Sequence, residues 1–187
     1  MPEVVIVPYR PDTNEREGNW KRVRAQWEGW DIHHADSDGE IFLRAQALNR
    51  AAAAAGDWEV AVIADSDLLL ANVVQADYAV ERARKTKGYI VCYDIFYYLT
   101  EATSQLVRAG EAPRPDMADE HLIQIWGGMF AVHRELWDAL GGFSDTYPGW
   151  GGEDGNFIVR AREREAVMDR VPGACYHMKH PLVKGAR

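Results

Sequence analysis

Cysteine and positive charge are both scarce in this chain. Only Cys92 and Cys175 occur among 187 residues, too few for a disulfide framework or a zinc knuckle, so both are expected as buried reduced thiols. Lysine and arginine total 21 against 29 acidic residues, a formal charge of −8 with a pI near 5.2. That field repels phosphate backbones and anionic lipid, which argues against a general nucleic-acid or membrane-surface partner. Long apolar runs are missing as well. No stretch approaches the roughly 18 residues a membrane span needs, and Met1-Pro2-Glu3 opens without a basic leader segment. The expectation is a soluble, cytoplasmic protein.

Hydrophobic residues make up 47% and charged residues 27%, which excludes a disordered or collagen-like chain. Against roughly 150 residues per domain, the length predicts a single domain over 1–187. The Pro-containing loop from Gly110 to Asp119 divides it into halves of about 1–109 and 120–187.

Apolar runs and helical periodicities alternate. Val4 to Val7 reads as a fully buried strand, and Trp20, Val23, Trp27 and Trp30 recur at helical spacing, an apolar stripe more suited to core than to ligand. A short strand at Asp31 to His34, a turn through Ala35 to Gly39, and a helix from about Glu40 to Ala55 follow. Val60 to Ala64 is a further buried strand running straight into Asp65-Ser66-Asp67. Beyond it come a helix at Asp77 to Lys85, a strand at Tyr89 to Tyr93, a helix near Thr100 to Arg108, a strand at Gly127 to His133, and helices at Arg134 to Leu140 and from Glu153 to about Glu163. This alternation predicts an α/β fold with a mostly parallel sheet covered by helices on both faces. Ligands of such sheets bind at the carboxyl ends of the strands, where Asp65 and Asp67 lie.

Two carboxylates one residue apart at a strand end can hold one divalent cation, which turns a pair that repels phosphate into a diphosphate clamp. A haloacid-dehalogenase site would need Thr or Val where Leu69 stands, and an EF-hand around Asp36 and Asp38 would need Glu where Ala45 stands. Both readings fail. The stretch Gly149-Trp150-Gly151-Gly152-Glu153-Asp154 combines a pliant backbone with an indole face suited to a sugar ring, and ends in two acids at a helix start. His177 and His180 offer imidazoles that could complete an octahedral O/N site, a donor set that favours Mn²⁺ over Ca²⁺. His33 and His34 carry no such reading.

In this order the motifs resemble metal-dependent inverting glycosyltransferases of GT-A (Rossmann-like) fold, in particular the β-1,4-galactosyltransferase C-terminal domain and the bacterial chondroitin polymerases. Pro8-Tyr9-Arg10, Phe42-Leu43-Arg44-Ala45, Asp65-Ser66-Asp67, Gly127-Gly128, the tryptophan-glycine-acid stretch and His177 with His180 carry the resemblance, from about Pro8 to His180. It implies that Pro8, Tyr9 and Arg10 hold uridine diphosphate and that Phe42 and Arg44 contact the uracil and its ribose side. Asp65 is implied in both metal and donor binding, Asp67 and one of His177 and His180 in metal binding, and Gly128 in donor binding. Trp150 is implied as the cover over the sugar, Glu153 as the acceptor-binding acid and Asp154 as the catalytic base. Gly155 and Asn156 stand where vertebrate members continue with acids, so the acceptor is not borrowed from them.

The expected reaction is transfer of galactose or an N-acetylated hexosamine from a UDP-sugar to an acceptor hydroxyl, with Mn²⁺, or Mg²⁺ in its place, as cofactor. A catalytically silent sugar-nucleotide or glycan-binding module would not need Glu153 and Asp154 together. A nucleotide-sugar phosphohydrolase would not need a tryptophan lid. Ile125, two residues before Gly127, occupies a position that in the galactosyltransferases bears on the choice between galactose and N-acetylated donors.

Overall fold

The computed structural model describes residues 3–146 and 152–181. Its larger sheet has the order β2-β1-β3-β8-β5-β9, built from β1 (Glu3–Pro8), β2 (Asp31–Ala35), β3 (Val60–Ala64), β5 (Tyr89–Val91), β8 (Met129–His133) and β9 (Met168–Arg170). All pairings are parallel except those of β8, which runs antiparallel to both neighbours. Every residue of β3, β5 and β8 is buried, so the sheet centre is covered on both faces, as its unbroken apolar runs require. A smaller sheet, β4-β10-β6-β7, joins β4 (Leu68–Leu70), β6 (Ile95–Leu99), β7 (Ala118–Ile123) and β10 (Ala174–His177).

Helix α1 (Asn14–Gln26) starts at Thr13, whose side chain accepts from the Arg16 N–H, and it stops at Trp27. The tryptophan stripe is therefore only partly helical. Trp20 and Trp27 are buried, whereas Trp30 lies past the helix with its ring edge-on to Trp27. Helix α2 (Arg44–Ala54) begins four residues later than the expected Glu40, because residues 37–43 are stapled into a loop. The Arg10 guanidinium donates to the carbonyls of Ser37, Gly39 and Glu40, and the Ser37 hydroxyl accepts from the Leu43 N–H.

The two sheets are joined through α3 (Val74–Thr86). Its buried Gln75 donates to the carbonyl of Cys92, just past β5, and to that of Ala174 at the start of β10. Both cysteines are free and buried. Helices α4 (Glu101–Arg108), α5 (Arg134–Leu140) and α6 (Glu153–Glu163), with a short 3-10 turn at Pro115–Met117, complete the described elements. No described helix is long and apolar enough to cross a membrane.

Candidate functional site

A cleft of about 680 Å³ opens where the carboxyl ends of β1 and β3 meet the start of β8. Pro8 closes β1, Asp65 follows β3 directly, and the Asp65 N–H donates to the Gly128 carbonyl at 3.0 Å. The reversed direction of β8 thus brings Gly127-Gly128 to the same sheet edge as the Asp-x-Asp motif. Gly152, with φ of 92°, adopts the left-handed backbone that starts α6, and Glu153 and Asp154 follow in the first turn, facing the cleft.

One corner of the cleft is built on Asp67. Strand β4 begins one residue later and pairs antiparallel with β10, Leu68 opposite His177. The Met178 N–H donates to the Asp67 carbonyl at 2.9 Å. The Lys179 N–H is held by the Ser104 hydroxyl at 2.8 Å, and Asn19 donates to the carbonyls of Met178 and Lys179. Folded back in this way, the segment places His180 Nε2 2.9 Å and His177 Nε2 3.7 Å from Asp67 Oδ2. Ligand atoms of Asp67, His177 and His180 all lie within 4.8 Å of one another, a group that could hold a metal ion.

Burial would raise Asp67, but the charge of His177 and the hydrogen bond from His180 outweigh it and hold the carboxyl well below the usual range. Burial would lower His180, and the Asp67 carboxylate overrides it, so His180 is raised. His177 is lowered, chiefly by burial. His180 Nδ1 lies 2.8 Å from the Pro181 carbonyl, which leaves Nε2 as the nitrogen facing the cluster. An acid with two imidazoles, one anchored through its second nitrogen, is a donor set that fits Mn²⁺.

The other corner is built on Arg44, the first residue of α2, which is 6% exposed. Its Nε donates to Asp65 Oδ1 at 2.7 Å and its Nη1 to Asp154 Oδ1 at 2.8 Å, with Glu153 Oε1 at 3.5 Å. Three carboxylates share one guanidinium. Asp65 is pushed up to about 7, first by burial and then by the charges of Asp67 and Asp154, with Arg44 opposing. Arg44 is held well above its ordinary value because those acids outweigh its burial. Asp65 is turned toward Arg44 and stands outside the Asp67–histidine group, whereas both histidines, not one, reach Asp67.

Pro8, Phe42, Arg44, Asp65, Asp67, Ile125, Gly128, Glu153, Asp154, His177 and His180 all line the cleft. Tyr9 and Arg10 do not. Tyr9 packs its ring on Trp20 and His34, and Arg10 serves the 37–43 loop, with its guanidinium over the Phe42 ring. Trp150 lies outside the described residues. Arg16, Ile41, Leu68, Phe96, Tyr98 and Lys179 also line the cleft and carried no expectation. Phe96 and Tyr98 alternate along β6 and flank the His177 ring, but the run from Ile95 to Leu99 is apolar throughout, so no alternation in the sequence marks them.

Residues 115–181 match the family model described as the N-terminal domain of galactosyltransferase. No curated protein matches the sequence significantly. Among solved structures, the catalytic domain of Drosophila β-1,4-galactosyltransferase 7 with xylobiose is 23% identical, with a TM-score of 0.59, over 90% of this chain and 63% of that one. A point mutant of the same Drosophila enzyme with manganese, UDP-Gal and xylobiose gives 21% identity and a TM-score of 0.65, over 96% and 72% of the two chains. A mannosyltransferase from Pyrobaculum calidifontis with GDP-Man and Mn²⁺ gives 18% identity and a TM-score of 0.60, over 99% of this chain but 58% of that one. The chain thus spans less than two thirds of two of these relatives. With the sheet order, the cleft at the strand ends and these likenesses together, the chain has the GT-A glycosyltransferase fold, and its residues 115–181 match the galactosyltransferase family model.

Proposed function

We propose that the protein is a Mn²⁺-dependent inverting glycosyltransferase that moves galactose or an N-acetylated hexosamine from a UDP-sugar to an acceptor hydroxyl. The observation that carries this reading is that Asp154 and the Asp67–His177–His180 group open into one cleft of about 680 Å³, within the roughly 300–1,000 Å³ usual for a small-ligand site. The similar Drosophila structure with UDP-Gal and the Pyrobaculum structure with GDP-Man support a sugar-nucleotide ligand. The strand ends of residues 1–109 take the nucleotide and supply Asp65 and Asp67, and residues 120–187 supply Glu153, Asp154 and the two histidines.

Asp67, His177 and His180 would hold the metal, with Asp65 beside them, and Mn²⁺ when bound neutralises charge on the departing diphosphate, so no acid need protonate it. Pro8 and Phe42 form the wall assigned to the nucleotide, with Arg10 holding the Phe42 loop from behind. Asp154 accepts the proton of the acceptor hydroxyl as that oxygen bonds to the anomeric carbon. The bond from this carbon to the diphosphate oxygen breaks at the same time, and its electron pair leaves with UDP. Such general-base help is worth about 10²- to 10⁴-fold. Glu153 binds the acceptor next to the base, and Trp150 covers the sugar against water. The test is UDP release from UDP-galactose and UDP-N-acetylgalactosamine, with Mn²⁺ or chelator, with and without a panel of hydroxyl acceptors. Acceptor-stimulated, chelator-sensitive release is expected. Release indifferent to acceptor would make the protein a hydrolase, and binding without release would make it a silent module.

A further inference from the structure

We propose that Arg44 is the positioning residue of the base: its guanidinium, acting with the Gly127-Gly128 backbone, fixes the Asp154 carboxylate and does not hold the nucleotide. The inference rests on the assignment of Asp154 above. A side chain that reads uracil or ribose presents its donors to open space, yet Arg44 is 6% exposed, with Nε given to Asp65 and Nη1 to Asp154. Its Nη2 is buried without a hydrogen-bond partner. The two nitrogens with partners, Nε and Nη1, are thus both given to carboxylates.

Asp154 is held from the opposite side as well. Its Oδ2 accepts from the Gly128 N–H at 3.3 Å, while Oδ1 faces the guanidinium. A Cβ at Gly127 would collide with Oδ2 and lie 2.9 Å from Cγ of Asp154. The carboxylate therefore occupies space that only glycine leaves, clamped between a backbone donor and a guanidinium. Its side chain is still 28% exposed, so the clamp fixes the pose and leaves the group open to the cleft. Glu153 Oε1 lies 3.5 Å from the same Nη1 that holds Asp154. Fixing a base to its working geometry is a large part of what it contributes, because a small displacement of a catalytic group is costly in rate.

Three variants test this: Arg44→Met, Arg44→Lys and Gly127→Ala, the last introducing one methyl group at a position of ordinary backbone conformation. In Arg44→Met, kcat should fall about 10²-fold, with affinity for UDP and Mn²⁺ by calorimetry within about twofold of wild type. Arg44→Lys should recover part of kcat. Gly127→Ala should reproduce the kcat loss without touching nucleotide affinity, and on an Asp154→Asn background neither change should cost much further. Crystal structures of Arg44→Met and Gly127→Ala read the same point without activity: Asp154 is displaced if the clamp exists. UDP affinity falling in step with kcat in Arg44→Met would return Arg44 to the nucleotide. An Asp154 side chain unmoved in both structures would equally overturn the clamp, whether or not the wild type transfers sugar.

Discussion

Asp65 and Asp67 follow the same strand with only Ser66 between them, and the fold puts them in opposite electrostatic situations. Burial raises both. Asp67 is then met by two imidazoles and ends well below the usual carboxylate range, whereas Asp65 must share Arg44 with Asp154 and Glu153 and ends at about 7. The ratio of cations to acids, more than depth, decides which carboxylate is ready as an anion. Asp67 is an anion prepared in advance; Asp65 would become fully charged if further positive charge entered the cleft.

The largest break in this comparison is Asp67→Ala. The two histidines would lose the anion they face, and transfer and Mn²⁺-dependent UDP binding should both be lost. A drop well beyond the roughly 10- to 100-fold that outer partners of a metal ligand are worth is expected, measured as turnover and as UDP affinity with Mn²⁺. Full activity in the variant, or in excess chelator, removes the clamp from the mechanism. Asp154→Asn strikes the other corner. Turnover should fall about 10²- to 10⁴-fold while UDP and Mn²⁺ still bind. Unchanged turnover moves the base elsewhere, with Glu153 the next candidate.

A pH experiment sharpens the contrast without mutation. His180 is raised by Asp67, so its contribution to stability is full below the ordinary histidine value of about 6.5 and disappears as pH rises through the folded value. Asp67 is lowered, so its contribution is present above about 3.9 and is lost only as pH falls toward its depressed folded value. Asp65, raised to about 7, disfavours the folded state increasingly as pH climbs from about 4 to that value. His177, lowered by burial, works the other way and disfavours the folded state as pH falls below about 6.5, so metal-free protein should melt higher near pH 6 than near pH 8. Mn²⁺ bound by His180 would have to displace its proton, so the gain in melting temperature on adding Mn²⁺ should grow from pH 5 to pH 8. A gain that shrinks over that range would contradict the histidine assignment.

The parts of the fold that were legible in the sequence are those whose signal is local. Val60 to Ala64 with the acids after it, the helix from Arg134 to Leu140, and the helix starting at Glu153 behind Gly152 fall where patterning and helix-start chemistry put them. The smaller sheet was not legible. Strand β7 is exposed along nearly its whole length and is held by backbone pairing to β6, so it has no apolar face to betray it. Strand β6 is apolar at every position, which hides its alternation. The antiparallel course of β8 also leaves no mark, because strand direction is set by the path of the chain between elements. The same distinction holds in the site. Asp65, Asp67, Glu153 and Asp154 sit in short motifs, but the sharing of Arg44 among three of these acids, and the arrival of both histidines at Asp67, depend on pairings between residues distant in sequence.

The smallest expected effect concerns the space between the two corners. Ile125 stands in the segment between β7 and β8, half-buried, with its side of the chain lining the cleft and its carbonyl accepting from Arg170 at 3.3 Å. It is not a buried strand residue. In the galactosyltransferases that the sequence resembles, tyrosine at the matching position accompanies galactose transfer, and a smaller aliphatic residue accompanies acceptance of N-acetylated sugars. The physical basis is steric and polar: tyrosine crowds the space beside the sugar C2, whereas isoleucine leaves an apolar hollow for an acetamido methyl. A pocket difference of one small group is worth about 1–3 kcal/mol, so tolerance of N-acetylated donors is expected, not exclusivity. Turnover of UDP-galactose and UDP-N-acetylgalactosamine, compared in wild type and Ile125→Tyr, should shift toward galactose by about 10- to 200-fold. A ratio left unmoved would mean that the sugar does not lie against Ile125, and the donor would then have to be placed nearer Phe96 and Tyr98 on the histidine side of the cleft.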